Sequence, residues 1–134
     1  KKILFSAIAL AVSLAGYAQW KPAGDKIKTT WAEQIDPNNV LPEYPRPIME
    51  RKEWKNLNGE YAIRPTGTQQ PADMDGQILV PFAVESSLSG VMKTLGKENE
   101  LWYSREFTVP SSWKGKNILL HFGAVDWQAD VWVN

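Results

Sequence analysis

Two short stretches carry the side chains best suited to chemistry. Glu85-Ser86 follows an apolar run ended by Pro81-Phe82, and Asp126-Trp127 lies in the connection from Gly123 to Gln128. A carboxylate beside a hydroxyl accepts hydrogen bonds from hydroxyl donors, and a carboxylate beside an indole sets an acceptor next to a flat apolar plate, a pairing suited to a pyranose ring. Each pair has a structural alternative. Glu85 pairs locally and Ser86 caps a turn; Asp126 serves as a turn residue and Trp127 packs between domains. The structural role is the default for both pairs, and the binding role is the sharper expectation.

Composition closes off most other chemistries. The 134 residues include no Cys and a single His. Thiol nucleophiles, Fe–S clusters and Cys-based zinc sites are excluded, and a Ser-His-Asp triad or a His-based metal site has almost nothing to be built from. His121 has no His, Cys or clustered acidic neighbours, so a hydrogen-bonded strand histidine is expected, and no metal or other cofactor is assigned. Lys+Arg and Asp+Glu are 15 each, a formal net charge of zero. Nucleic-acid binding needs a concentrated basic surface, so that class is disfavoured. The 43% apolar and 22% charged fractions belong to an ordinary globular protein, with room for one domain at most. Seven Trp stand out. Trp54, Trp102, Trp113 and Trp132 fall inside or beside strand patterns, where burial in a core or between domains is expected over stacking on a sugar.

The elements that must position these residues begin after a sorting signal. Lys1 and Lys2 precede an apolar run, Ile3 to Gly16, followed by Gly16 and Ala18 at the spacing signal peptidase prefers. Residues 1–18 are therefore expected to be a signal peptide cut before Gln19. The run is short of the ~20 residues that cross a bilayer, and without Cys there is no lipid attachment. The mature chain is expected to be exported, periplasmic or secreted, with no membrane span. Residues 19–50 carry Pro37, Pro42, Pro45 and Pro47, which force extended backbone on their neighbours. An extended arm is expected there, and Trp20, Trp31 and Tyr44 favour one docked on a larger body.

From residue 57 the pattern turns to β. Expected strands cover Glu60 to Arg64, Gln77 to Phe82, Leu101 to Val109, Asn117 to Phe122 and Ala129 to Val133, separated by Gly, Pro, Asp and Ser clusters. No stretch holds a 3.6-residue apolar period over twelve positions. On the third strand Arg105 shares a face with Leu101, Tyr103 and Phe107, so a structural ion pair across strands is expected for it. An all-β sandwich or barrel follows. A closed sandwich needs about seven or eight strands, and five are legible, so residues 51–134 are expected to be an incomplete N-terminal part.

The wording of the sequence then points further. Pro45-Arg46-Pro47, Arg51-Lys52-Glu53-Trp54-Lys55-Asn56-Leu57-Asn58-Gly59, Val80-Pro81-Phe82-Ala83-Val84-Glu85-Ser86 and Leu101-Trp102-Tyr103-Ser104-Arg105-Glu106-Phe107 come in order. Trp113-Lys114-Gly115-Lys116, His121-Phe122-Gly123-Ala124-Val125-Asp126-Trp127 and Val131-Trp132-Val133-Asn134 follow. Over about residues 43–134 this series resembles glycoside hydrolase family 2, the β-galactosidase and β-glucuronidase group. The resemblance implies the N-terminal sugar-binding domain, a jelly-roll β-sandwich of the galactose-binding-domain-like kind. It implies a retaining glycosidase that hydrolyses a β-glycoside with two glutamates, one acid/base and one nucleophile, on a TIM barrel that follows an immunoglobulin-like domain. Both glutamates lie outside residues 1–134, so no catalytic residue is assigned and the chain alone is expected to hydrolyse nothing. Substrate-binding candidates are Glu85, Ser86, Asp126 and Trp127. The non-catalytic alternative is a self-standing carbohydrate-binding module, and a third is a purely structural domain that orients the barrel.

Overall fold

The computed structural model describes residues 20–65 and 70–134, so the signal-peptide assignment lies outside the described residues. Regular structure is mainly strand. Three strands, β1 (Gly59–Pro65), β2 (Gly76–Val80) and β3 (Leu101–Ser104), form one antiparallel sheet in the order β2-β1-β3. The only α-helix among the described residues is the single turn α1 (Thr30–Glu33), capped by the Thr29 hydroxyl. Short 3-10 turns fall at Pro47–Met49, Ser87–Ser89 and Ser111–Trp113.

The sheet follows from alternation around the central strand. β1 turns Tyr61 and Ile63 to one face and Glu60, Ala62 and Arg64 to the other. Its register sets Tyr61 opposite Ile78, and Ile63 opposite Gly76 on one side and Tyr103 on the other. Proline ends β2, because Pro81 has no N–H for a ladder. The connection to β3 must then pass from one side of β1 to the other. It does so over the Tyr61–Ile63 face, so that Val84, Val91 and Leu95 close on Ile63 and Ile78. Ile63, Ile78 and Leu79 are fully buried, each worth roughly 2–3 kcal/mol in area removed from water. Ser89 is buried as well, and its hydroxyl is fully used: it lies 2.7 Å from the Ser86 carbonyl and accepts from the Val91 amide at 3.0 Å.

Residues 20–50 make several contacts with the rest of the described chain. Trp20 and Ala23 bond to the Ser87–Leu88 backbone. Further on, Val40 is buried, and its carbonyl and that of Leu41 accept from the side-chain amides of Asn56 and Asn58. Tyr44 meets Trp54 edge-on at 4.8 Å.

Beyond Ser104 the structure departs from the expected pattern. β3 ends at Ser104, five residues short of Val109, and neither Asn117 to Phe122 nor Ala129 to Val133 forms a strand. The cause at β3 is Arg105. Its guanidinium donates to the Glu60 carbonyl at 3.0 Å, the group that a longer β3 would bond through Glu106. A continued register would also set Glu106 opposite Glu60, two like charges side by side. Arg105 is thus not the cross-strand ion pair expected of it; it caps a backbone carbonyl and lies 4.9 Å over the Tyr61 ring. Gly59 makes room for it, at φ +127 with the Arg105 Nη1 only 2.9 Å from where a Cβ would stand.

The two later segments have alternating apolar residues but no paired neighbour among the described residues, and a strand exists only as part of a ladder. Leu119 is 64% and Phe122 56% exposed. Residues after β3 are tied down by scattered contacts instead: Lys55 Nζ donates to the Thr108 carbonyl at 2.7 Å, Lys116 pairs with Glu53, and Trp132 stacks on Trp102 at 5.6 Å. Trp132 is therefore not a core residue, being 66% exposed with one face on Trp102. His121 is exposed in irregular backbone, 6.0 Å from the Trp54 ring, not a hydrogen-bonded strand histidine.

Candidate functional site

Glu85 and Ser86 sit at the start of the crossover that seals the core. Val84 packs inward against Ile63 and Ile78, which leaves Glu85, the next residue, exposed. Ser86 is engaged locally. Its hydroxyl donates to the Ala83 carbonyl at 2.7 Å and accepts from the Ser89 amide at 3.2 Å, capping the 3-10 turn Ser87–Ser89. The capping role named for Ser86 is the one the geometry displays. Glu85 makes no ion pair among the described residues, but its charge reaches Tyr103. The Tyr103 hydroxyl has a pKa raised above its ordinary value of 10.0, first by burial and then by the Glu85 carboxylate. The exposed Glu85 carboxylate can accept, and the Tyr103 hydroxyl can donate, hydrogen bonds to a hydroxylated ligand.

Asp126 and Trp127 lie in the irregular segment after Gly123. Asp126 is exposed and the Trp127 ring is 87% exposed, with no aromatic partner among the described residues. No hydrogen bond or ion pair among the described residues joins this pair to Glu85 or Ser86.

A third position emerges only from the register. On the sheet face opposite Tyr61 and Ile63, the side chains of Glu60, Ala62, Gln77 and Ser104, with Arg105 and Glu106, line an open depression of about 470 Å³. Ala62 stands between Gln77 and Ser104, its partners on either side. Ala62 is the apolar member of this lining, and the other five residues are polar or charged. Two carboxylates, an amide, a hydroxyl and a guanidinium supply both donors and acceptors. At the other end of this face, Arg64 and Trp102 are cross-strand partners. Their Nε and Nε1 are buried without an acceptor among the described residues. Among the described residues no three His, Asp or Glu side chains converge in the manner of metal ligands.

The depression was missed in the sequence, although its signal was there: polar residues at positions 60, 77, 104 and 106, on the alternate phase from Tyr61, Ile63, Ile78 and Tyr103. What the sequence lacks is the register that brings three strands' polar positions together. No protein-family model matches this chain, and no curated protein matches it.

Proposed function

We propose that this chain is part of the N-terminal sugar-binding domain of an exported retaining glycoside hydrolase, β-galactosidase-like, with the described sheet forming part of a jelly-roll sandwich. The reading rests on the resemblance over residues 43–134. The structural observation that carries it furthest is Trp127, 87% exposed beside the exposed carboxylate of Asp126. An indole in that setting has a free face for the apolar side of a pyranose, and its neighbour accepts from the ring's hydroxyls. In such an enzyme the catalytic carboxyls stand about 5–5.5 Å apart and work through a covalent glycosyl intermediate. They belong to a barrel outside these residues. The domain's own part is to bind or orient the sugar with Glu85, Ser86, Asp126 and Trp127.

A carbohydrate-binding module without catalysis is the second reading, and one observation favours it: Trp31 is also largely exposed, giving a second free indole. The test is hydrolysis of nitrophenyl β-galactoside, β-glucuronide and β-mannoside by the product of the whole reading frame. The expected result is turnover of at least one with retention of anomeric configuration, and none by residues 19–134 alone. Absence of turnover on all three, with polysaccharide binding by residues 19–134, would replace the enzyme by the module.

A further inference from the structure

The crossover loop that carries Glu85 and Ser86 is gripped from outside by the beginning of the described chain. The Trp20 indole N–H donates to the Leu88 carbonyl at 3.2 Å, and the Ala23 amide donates to the Ser87 carbonyl at 2.8 Å. The Ser87 hydroxyl returns a hydrogen bond to the Ala23 carbonyl. Ala23 and Ser87 therefore exchange bonds in both directions, as a small ladder would.

Two glycines show that the contact is fitted. Gly90, at φ +81, brings bare backbone under the indole; a Cβ there would stand 3.1 Å from Trp20 Cδ1 and Nε1. Gly24, at φ +69, does the same from the other side, with Met92 Sδ 2.6 Å from the place of a Cβ. Each glycine adopts a backbone setting that side chains avoid, and each leaves a gap that the opposite segment fills. The loop's own bonds, Ser86 to Ala83 and Ser89 to Val84, tie it inward to itself. Among the described residues, the 20–24 segment ties its outer edge.

We propose that residues 20–24 are a strap that locks the 84–92 loop in one conformation, making Trp20 a positioning residue for Glu85 and Ser86. The locking stands on these contacts; its consequence for sugar binding rests on the function proposed above. A ligand that uses Glu85 meets a loop already ordered and is spared the entropy of ordering it.

The experiment compares Trp20→Ala, Trp20→Phe and Ser87→Ala in the intact exported protein. Amide hydrogen exchange over residues 84–92 is expected to accelerate about tenfold in Trp20→Ala, because the loop opens locally without global unfolding. Trp20→Phe keeps a ring over Gly90 without the donor, and Ser87→Ala removes one bond from the loop's side; both are expected to fall between wild type and Trp20→Ala. The KM for nitrophenyl β-galactoside is expected to rise about three- to tenfold in Trp20→Ala with kcat unchanged, the mark of lost binding before chemistry. Unchanged exchange over 84–92 in all three variants overturns the strap. Accelerated exchange with an unmoved KM upholds the strap and removes Glu85 and Ser86 from the sugar site.

Discussion

Replacing Arg105 by Met tests how the sheet ends. The guanidinium does two things there: it donates to the Glu60 carbonyl at 3.0 Å and stands 4.9 Å over the Tyr61 ring. A hydrogen bond with a charged partner contributes about 1.5–3 kcal/mol in general, but this one lies at an exposed position where water replaces it, so ~1 kcal/mol is the expected share. The cation over the ring adds about 0.5–1 kcal/mol. Met keeps most of the apolar stem, so little packing is lost with the charge. The expected destabilisation in urea is thus ~1–2 kcal/mol, with the slope of the transition unchanged.

A second readout isolates the contact with Tyr61. Burial raises the pKa of that hydroxyl above its ordinary value of 10.0, and the Arg105 charge opposes the rise. Arg105→Met removes the opposing cause, so Tyr61 is expected to ionise at still higher pH in an ultraviolet titration, with Tyr61→Phe identifying the signal. Arg105→Lys retains the charge and loses the planar fork. It is expected to leave the titration near wild type while stability falls between the two. A Met variant as stable as wild type within ~0.3 kcal/mol, with Tyr61 unmoved, would refute the account of why β3 stops at Ser104.

Three further outcomes are expected. Ile78→Ala, at a fully buried position against Ile63 and Val84, costs about 2–4 kcal/mol in denaturant, whereas Ile118→Ala, half exposed in the irregular segment, costs less than ~1 kcal/mol; equal costs would contradict the placement of the core. Glu85→Gln removes the smaller of the two causes acting on Tyr103, so its titration moves down yet stays above 10.0. The sign for stability follows from the protonated form being favoured in the native state: the contribution is fully present below the unfolded value of 10.0 and is lost as pH rises through the raised native value, and thermal scans above that pH should show Tyr103→Phe losing less than wild type. Trp127→Ala, at an 87% exposed ring, changes stability by less than ~0.5 kcal/mol. If the proposed glycosidase function holds, the same variant in the product of the whole reading frame is expected to raise KM with kcat unchanged, and an unaltered KM would assign the ring to packing between domains.

Local pattern was enough for β1 and β2. The alternation of Tyr61 and Ile63 acts within a few residues, and β1 falls at Gly59–Pro65, around the expected Glu60 to Arg64; β2 runs Gly76–Val80 and ends two residues short of the expected Phe82, because Pro81 has no N–H for the ladder. Leu101 to Val109 alternates just as well, yet its second half is unpaired, because Arg105 takes the carbonyl the ladder needed. Asn117 to Phe122 and Ala129 to Val133 have the right period too. Periodicity states which side chains share a face; it does not supply the neighbouring N–H and C=O groups, and those are what make a strand. The same distinction separates the candidate positions. Ser86 was readable as a turn cap from its place before Ser87–Ser89, whereas Glu60, Gln77 and Ser104 meet only through the β2-β1-β3 register, a property of no single segment.

The crossover makes function and stability hard to separate at Glu85. Val84, buried in the core cluster, is its immediate neighbour, and Ser89 four residues on is fully buried with its hydroxyl bonded at both ends of the turn. Glu85 is thus anchored on both sides within its loop, and in the proposed strap residues 20–24 hold the loop's outer edge, the pre-positioning that a binding carboxylate needs. The arrangement has a consequence for reading any variant. A substitution at Ile63, Ile78 or Val84 loosens the lid over the core and, one peptide bond away, releases Glu85. Weaker binding from such a core variant therefore says nothing of contact with ligand. Only changes that leave the Val84 contacts intact, such as Glu85→Gln, isolate the carboxylate itself.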